Sequence, residues 1–297
     1  VVSRVSVWRS LLRKSRLRGT GTGVRGTTAP GDPPPGQTPA QRAAWLERVL
    51  HDQIERFGAQ HPRTIAARNN LASKYAQIGR RSAAIEQFEV ALADSVAVLG
   101  EEDDQTDIIR ENLAWCQEDA GRFHDAATNW EVLLQQRLQR LGPTAVETVT
   151  ARTRLASAYR RTGRPDAAIA HFERAIEDST GASAEETESL RIGLALALRG
   201  SGRFDEAIPQ LRMVLAQRHR RLGARHYDTL AIHHQLGLAY LQASRPGEAV
   251  ETLERAYRNC LAAAGDPEIR LLTMKVRRDL AGAYRVAGRP RDAAALY

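Results

Sequence analysis

Residues 61–100 read HPRTIAARNNLASKYAQIGRRSAAIEQFEVALADSVAVLG, and the chain from residue 42 onward is built on variations of this stretch. A Gly-Arg pair at Gly79-Arg80 recurs at Gly121-Arg122, Gly163-Arg164, Gly202-Arg203 and Gly288-Arg289, with Ser244-Arg245 in the fifth slot, at steps of 42, 42, 39, 42 and 44 residues. Other columns keep the same register. Threonine opens each unit (Thr64, Thr106, Thr148, Thr187, Thr229, Thr273), and leucine stands eight residues before each turn (Leu71, Leu113, Leu155, Leu194, Leu236, Leu280). Alanine follows five residues after it (Ala84, Ala126, Ala168, Ala207, Ala249, Ala293), then a large apolar residue four later (Phe88, Trp130, Phe172, Leu211, Leu253, Tyr297). A fixed period of this length is the signature of a repeat architecture.

The spacing inside one unit predicts two helices. Ile65, Leu71, Ala72, Tyr75 and Ile78 recur at helical intervals, Gly79 supplies a left-handed stop, and Ala84, Ile85, Phe88, Ala91, Leu92, Val96 and Leu99 form the apolar face of a second helix over about 82–99. A single hairpin cannot bury both faces, so the units must stack.

The pairings Leu71-Ala72-x-x-Tyr75 with Ala84-x-x-x-Phe88, and Leu155-Ala156-x-x-Tyr159 with Ala168-x-x-x-Phe172, resemble the tetratricopeptide repeat. The longer period, the His-Pro-x-Thr opening and the Asn-Leu-Ala core resemble its kinesin-light-chain-like branch. The resemblance implies an all-α fold, a right-handed α-α superhelix of about six hairpins, and a non-enzymatic scaffold that binds a peptide or protein segment in its concave groove. No cofactor and no small-molecule substrate are expected. An alternative is the sensor array of a larger signalling protein, such as a bacterial nucleotide-hydrolysing switch protein, whose catalytic domain lies outside this chain.

The expected organisation is a disordered basic leader and Pro/Gly linker over 1–41, then an array over 42–297. The array opens with a partial unit at 42–58, followed by repeats at about 59–100, 101–142, 143–181, 182–223, 224–265 and 266–297, the last truncated. Gly163 to Gly181 is three residues short, so a shortened second helix and a local change of curvature are expected there. Pro209 is expected to kink its helix without ending it, and the two extra residues of the sixth unit are assigned to its leading loop around Asp266-Pro267. Tyr297 holds the Phe88 column and its helix breaks off there; the chain is expected to be a fragment or to continue into a partner.

Charge narrows the function. Six arginines and Lys14 precede Asp32, so of a net +8 only +1 remains for residues 32–297. A basic array that grips nucleic acid is therefore disfavoured. Contact with nucleic acid or membrane is expected only through residues 1–18, where Val5, Trp8, Leu11 and Leu12 line one side of a weakly amphipathic stretch. No apolar run suits a signal peptide or a membrane span. Gly21-x-Gly23-x-x-Gly26 follows no predicted strand, and no phosphate-binding loop with its lysine occurs. Forty of the 43 Lys and Arg are arginine, as a GC-rich bacterial genome produces. Two distant cysteines, Cys116 and Cys260, show no disulfide or metal spacing and fit a reducing cytoplasm. His226, His233 and His234 are read as surface polar residues, because adjacent helical residues diverge by about 100°.

Solvent-facing positions of the first helices are the binding candidates. The residue before each leucine is Asn70, Asn112, Arg154, Gly193, Gln235 or Asp279. In the family that the chain resembles, asparagines in this column hold a peptide backbone; an amide both donates and accepts. The candidate groove comprises Asn69, Asn70, Asn112, Arg154, Gln235, Arg160 and Arg199. A second basic column (Arg68, Arg110, Arg152, Arg191, His233, Arg277) has two readings, a ligand-binding line of guanidinium groups or a structural ladder to Glu89, Glu131, Glu173 and Glu254 on the second helices.

Overall fold

Each turn inside a hairpin is made by one residue with positive φ: Gly79 (82°), Gly121 (79°), Gly163 (75°), Gly202 (80°), Gly288 (72°) and, at the fifth, Ser244 (58°). The arginine that follows then sends its backbone N–H back to the carbonyl five residues earlier, as in Arg80 to Tyr75 (2.9 Å), Arg245 to Tyr240 (2.9 Å) and Arg289 to Tyr284 (2.8 Å). This is the Schellman closure, and it explains why glycine and a following residue recur together. Serine accepts the same geometry at a cost of about 1 kcal/mol.

The computed structural model describes residues 38–179 and 181–297. The basic segment, the Gly21-x-Gly23-x-x-Gly26 string and the Pro/Gly linker lie outside the described residues. Thirteen helices are present among the described residues: α1 (Pro39–Phe57), α2 (Pro62–Gln77), α3 (Arg81–Leu99), α4 (Asp104–Asp119), α5 (Phe123–Leu141), α6 (Val146–Arg161), α7 (Pro165–Asp178), α8 (Ala184–Gly200), α9 (Phe204–Leu222), α10 (Tyr227–Gln242), α11 (Pro246–Leu261), α12 (Pro267–Val286) and α13 (Pro290–Ala294). No strand occurs among these residues. None of these helices is long and apolar enough to cross a membrane. The helices fall into two compact units, one ending at Asn129 and one beginning at Trp130.

Helix starts follow from short polar side chains. Thr38 and Gln41 form a capping box on α1, which begins ahead of residue 42 for that reason. His61 accepts the Arg63 N–H through Nδ1 at 3.2 Å and Pro62 takes the first helical position, so the His-Pro opening is a helix start. Asp103, Ser183, His226 and Asp266 cap α4, α8, α10 and α12.

In the first unit, α2, α3 and α4 share a core of Ala72, Ala84, Ile85, Phe88, Leu113 and Cys116. Phe88 is fully buried among Ala72 and Ala84 of its own hairpin and Leu113 and Cys116 of the next helix. Helix α1 covers the outer side of α2 through Leu50, Ala67 and Leu71, with Leu46 and Ile54 at the edge. In the second unit, Phe172, Leu211 and Leu253 occupy the column of Phe88 and are equally inaccessible. First helices also tie back to the preceding second helix through their threonines. Thr64 and Thr106 donate to the carbonyls of Gly58 (2.7 Å) and Gly100 (2.8 Å), and Thr148 to that of Arg137 (3.2 Å).

Three irregularities have local causes. Helix α7 has 14 residues where α3 and α9 have 19, and the three-residue deletion accounts for three of the five missing. Helix α9 runs unbroken through Pro209, so that proline removes one hydrogen bond without ending the helix. The sixth unit corrects the expectation of a longer loop: α12 has 20 residues where α10 has 16, because the Asp266 cap and Pro267 start it six residues before Thr273, where α10 starts two before Thr229. The insertion became helix.

The shortened unit also explains Gly193. A Cβ there would lie 2.3 Å and 2.5 Å from ring atoms of Phe172 on α7. Gly193→Ala is expected to destabilise the fold by about 1–3 kcal/mol through overpacking. Gly282→Ala on α12, where a Cβ meets nothing within 4 Å, is expected to stabilise by about 0.5–1 kcal/mol. Urea denaturation of the two variants checks both signs.

Candidate functional site

The candidate residues separate into two local clusters, one in each unit. In the first unit, α2 and α4 are in contact. Asn112 Nδ2 donates to Asn69 Oδ1 at 3.1 Å, so these amides bond each other across the two first helices. Asn70, one residue on, points to solvent and makes no hydrogen bond.

In the second unit, Arg199 on α8 donates from Nε to Gln242 Oε1 and from Nη1 to Gln235 Oε1, both at 2.6 Å and both across to α10. Burial holds its pKa below the usual arginine value, and no carboxylate is bonded to it. Arg160 stands at the same register on α6, five residues after its leucine. Its Nε is buried with no acceptor, and burial, then the neighbouring Arg161, press its pKa down. Arg154 is half-buried and engaged with a neighbour. Helices α6 and α8 are in contact, so consecutive first helices carry two cations without a carboxylate partner. A half-buried cation in that state is stabilised by an incoming anion, because its desolvation is not offset from within the fold.

The other arginine column is engaged within the fold, though not with the glutamates expected. Arg68 donates to Gln87 at 3.1 Å and Arg191 to Gln210 at 2.8 Å. Arg110 pairs with Glu101, Arg152 reaches Asp178 at 3.3 Å, and Arg277 stacks on the ring of Tyr297. The glutamate column serves a joint that the sequence reading missed. Tyr75, Tyr159 and Tyr284 donate their hydroxyls to Glu47 (2.6 Å), Glu131 (2.6 Å) and Glu254 (2.8 Å) on the preceding second helix. The turn arginines Arg80, Arg164 and Arg289 lie over those rings, 4.0–4.9 Å from the centroids. The near-constant separation of 28 to 30 residues between each Tyr and its Glu was the available signal.

Three family models described as tetratricopeptide repeat match residues 64–106, 109–183 and 186–262. No curated protein matches the chain in sequence. Among solved structures, the chain is similar to the putative kinesin light chain nearly identical TPR-like repeats of Podosopora anserina, with 24% identity over 67% of this chain and 96% of that one and a TM-score of 0.59. It is similar to BtubC (BKLC) from P. vanneervenii, with 20% identity over 77% and 94% and a TM-score of 0.59. It is also similar to YrrB, described as a TPR protein with an unusual peptide-binding site, with 15% identity over 76% and 98% and a TM-score of 0.50.

Both cysteines are free and buried, and burial, then Asp119, pushes the Cys116 thiol up to about 11. No cluster of three or more His, Cys, Asp or Glu capable of holding a metal occurs among the described residues. Two histidines correct the sequence reading: His233 and His234 are buried, and only His226 keeps an exposed, helix-capping position. His234 bonds Asp279 at 2.8 Å. His233 is held neutral by burial and by the positive charges of Arg255 and His219, which lower its pKa from 6.5 to about 4. Because the folded pKa lies below the unfolded one, the contribution to stability is complete above pH 6.5 and is lost as pH falls toward about 4. The expected slope from this residue approaches about 1.4 kcal/mol per pH unit. Chemical denaturation across pH 7 to 4 should show that slope reduced in His233→Gln.

Proposed function

Because the chain belongs to the tetratricopeptide repeat family, whose repeats mediate protein–protein interaction, we propose that it is a scaffold that binds an extended peptide or protein segment along its first helices. The observation that carries this reading is the pair Arg160 and Arg199, half-buried cations at one register on α6 and α8 without a carboxylate partner. Gln235 belongs to the same cluster through its bond to Arg199, and its amide remains able to donate to a peptide carbonyl. In the first unit Asn70 offers an exposed amide of the same kind. The peptide-binding site in the description of YrrB supports the class of ligand.

The segment recognised in this way carries carboxylates. Arginine suits them because its planar fork forms two parallel charge-assisted bonds. Affinity then comes from several modest contacts on a surface that stacking has already ordered.

Selection of peptides from a random library on the purified chain tests the proposal. The selected peptides are expected to carry Asp, Glu or a free C-terminal carboxylate, and to lose about tenfold or more in affinity for Arg160→Ala/Arg199→Ala. Arg160→Ala alone is expected to leave the melting temperature unchanged or raise it, since it removes an unpaired buried charge. Undiminished affinity of the double variant would sink the reading.

A further inference from the structure

The second unit holds a cleft of about 770 Å³ between the second helices α9 and α11, floored by the first helix α10. Its origin is legible in the columns. On α2 and α8 an arginine at this register reaches a glutamine on the second helix of its own hairpin, Arg68 to Gln87 and Arg191 to Gln210. At the equivalent positions of the fifth unit stand His233 and Thr252, two shorter side chains that both line the cleft. The space that an Arg–Gln pair fills elsewhere is open here.

The floor of the cleft carries hydrogen-bonding groups with no partner. Thr229 is 1% exposed, and its hydroxyl makes no hydrogen bond. The threonines at its register on α2 and α4 close on a glycine carbonyl. His233 is 8% exposed and likewise makes no hydrogen bond. Leu236 and Tyr240 give the floor its apolar part.

The walls are charged in a definite sense. Glu248 is held by Arg245, with oxygens at 2.9 Å and 3.0 Å from Nε. Glu251 pairs with Arg255 at 3.1 Å. Both carboxylates of the lining are therefore neutralised. Arg212 and Arg220 on α9 have no carboxylate bonded to them; Arg220 donates only to the carbonyl of Ala216, at 3.4 Å. They stand two turns apart on the stripe of α9 that faces the cleft. With Arg212, Arg220 and Arg255 against Glu248 and Glu251, the lining keeps a net positive charge above an apolar floor with two polar groups free to bond. The volume falls in the range of small-molecule sites, about 300–1,000 Å³.

We propose that this cleft is a second binding site, distinct from the Arg160–Arg199 cluster, for a small organic anion. Its ligand has one acidic group (carboxylate, sulfonate or phosphate) on an apolar or aromatic body. The acidic group meets Arg212 or Arg220 within the field of both, the body lies on Leu236 and Tyr240, and a polar atom reaches Thr229 or His233.

Fluorescence titration of the full chain with 1-anilinonaphthalene-8-sulfonate, which has an aromatic body and one sulfonate, tests the site. The expected result is saturable binding at one dye per chain, weakened by about tenfold or more in Arg212→Ala/Arg220→Ala, where only exposed side chains change. His233→Arg/Thr252→Gln rebuilds the pair seen on α2 and α8 and is expected to abolish binding while melting at or above the wild-type temperature. Arg160→Ala/Arg199→Ala is expected to bind the dye as wild type does, which separates this site from the peptide-binding proposal. The site is overturned if the dye shows no saturable one-to-one binding. It is equally overturned if both cleft variants bind as tightly as wild type, or if affinity falls only with the first-helix variant.

Discussion

A helical hairpin of this kind cannot exist alone, because the large side chain of its second helix needs its own hairpin on one side and the next helix on the other. Phe88 meets that requirement between Ala72, Ala84, Leu113 and Cys116, drawn from three successive helices. Phe172, Leu211 and Leu253 repeat the arrangement in the second unit, each almost wholly inaccessible. Burial of each such side chain contributes roughly 1.5–3 kcal/mol, and the fold realises it only where a neighbouring hairpin is in place. Every other regularity keeps the register that this burial demands. The Schellman turns, the threonine ties and the Tyr–Arg–Glu joints all serve it.

Most of the helical organisation was legible in the sequence because it rests on local rules. Apolar spacing, glycine stops and polar caps act within a few residues of each other, so α2 and α3 fall close to where the pattern put them. Where the reading failed, the deciding contact was distant. The partners of the arginine column lie on other elements, and their identity depends on which second-helix side chain is long enough to meet them. His233 was read as a surface residue because it was weighed only as a metal ligand beside His226 and His234, from which helical geometry turns it away. Its burial is shared by Arg110 and Arg152 of the same column, which the alignment of units could have shown. The insertion before Thr273 was read as loop because Asp266, seven residues earlier, was not weighed as a helix cap.

The same columns divide the work of the arginines. Those two residues before the asparagine position turn inward to glutamine, carboxylate or aromatic partners. Arg160 and Arg199, further along their helices, meet neither carboxylate nor full solvent. A half-buried cation whose desolvation no carboxylate offsets holds a favourable place for an external anion. That unmet charge on Arg160 and Arg199 is the physical basis for a peptide-binding reading of the first helices. Exposure alone would be a much weaker ground.

Hydrogen–deuterium exchange of the whole chain, with and without a saturating peptide selected on it, tests the central claim most directly. The account predicts slowed exchange on the first helices of the second unit, Val146–Arg161, Ala184–Gly200 and Tyr227–Gln242, centred on the last two turns of the first two of these. Protection confined to the second helices Pro165–Asp178, Phe204–Leu222 and Pro246–Leu261, with the first helices unchanged, would contradict it.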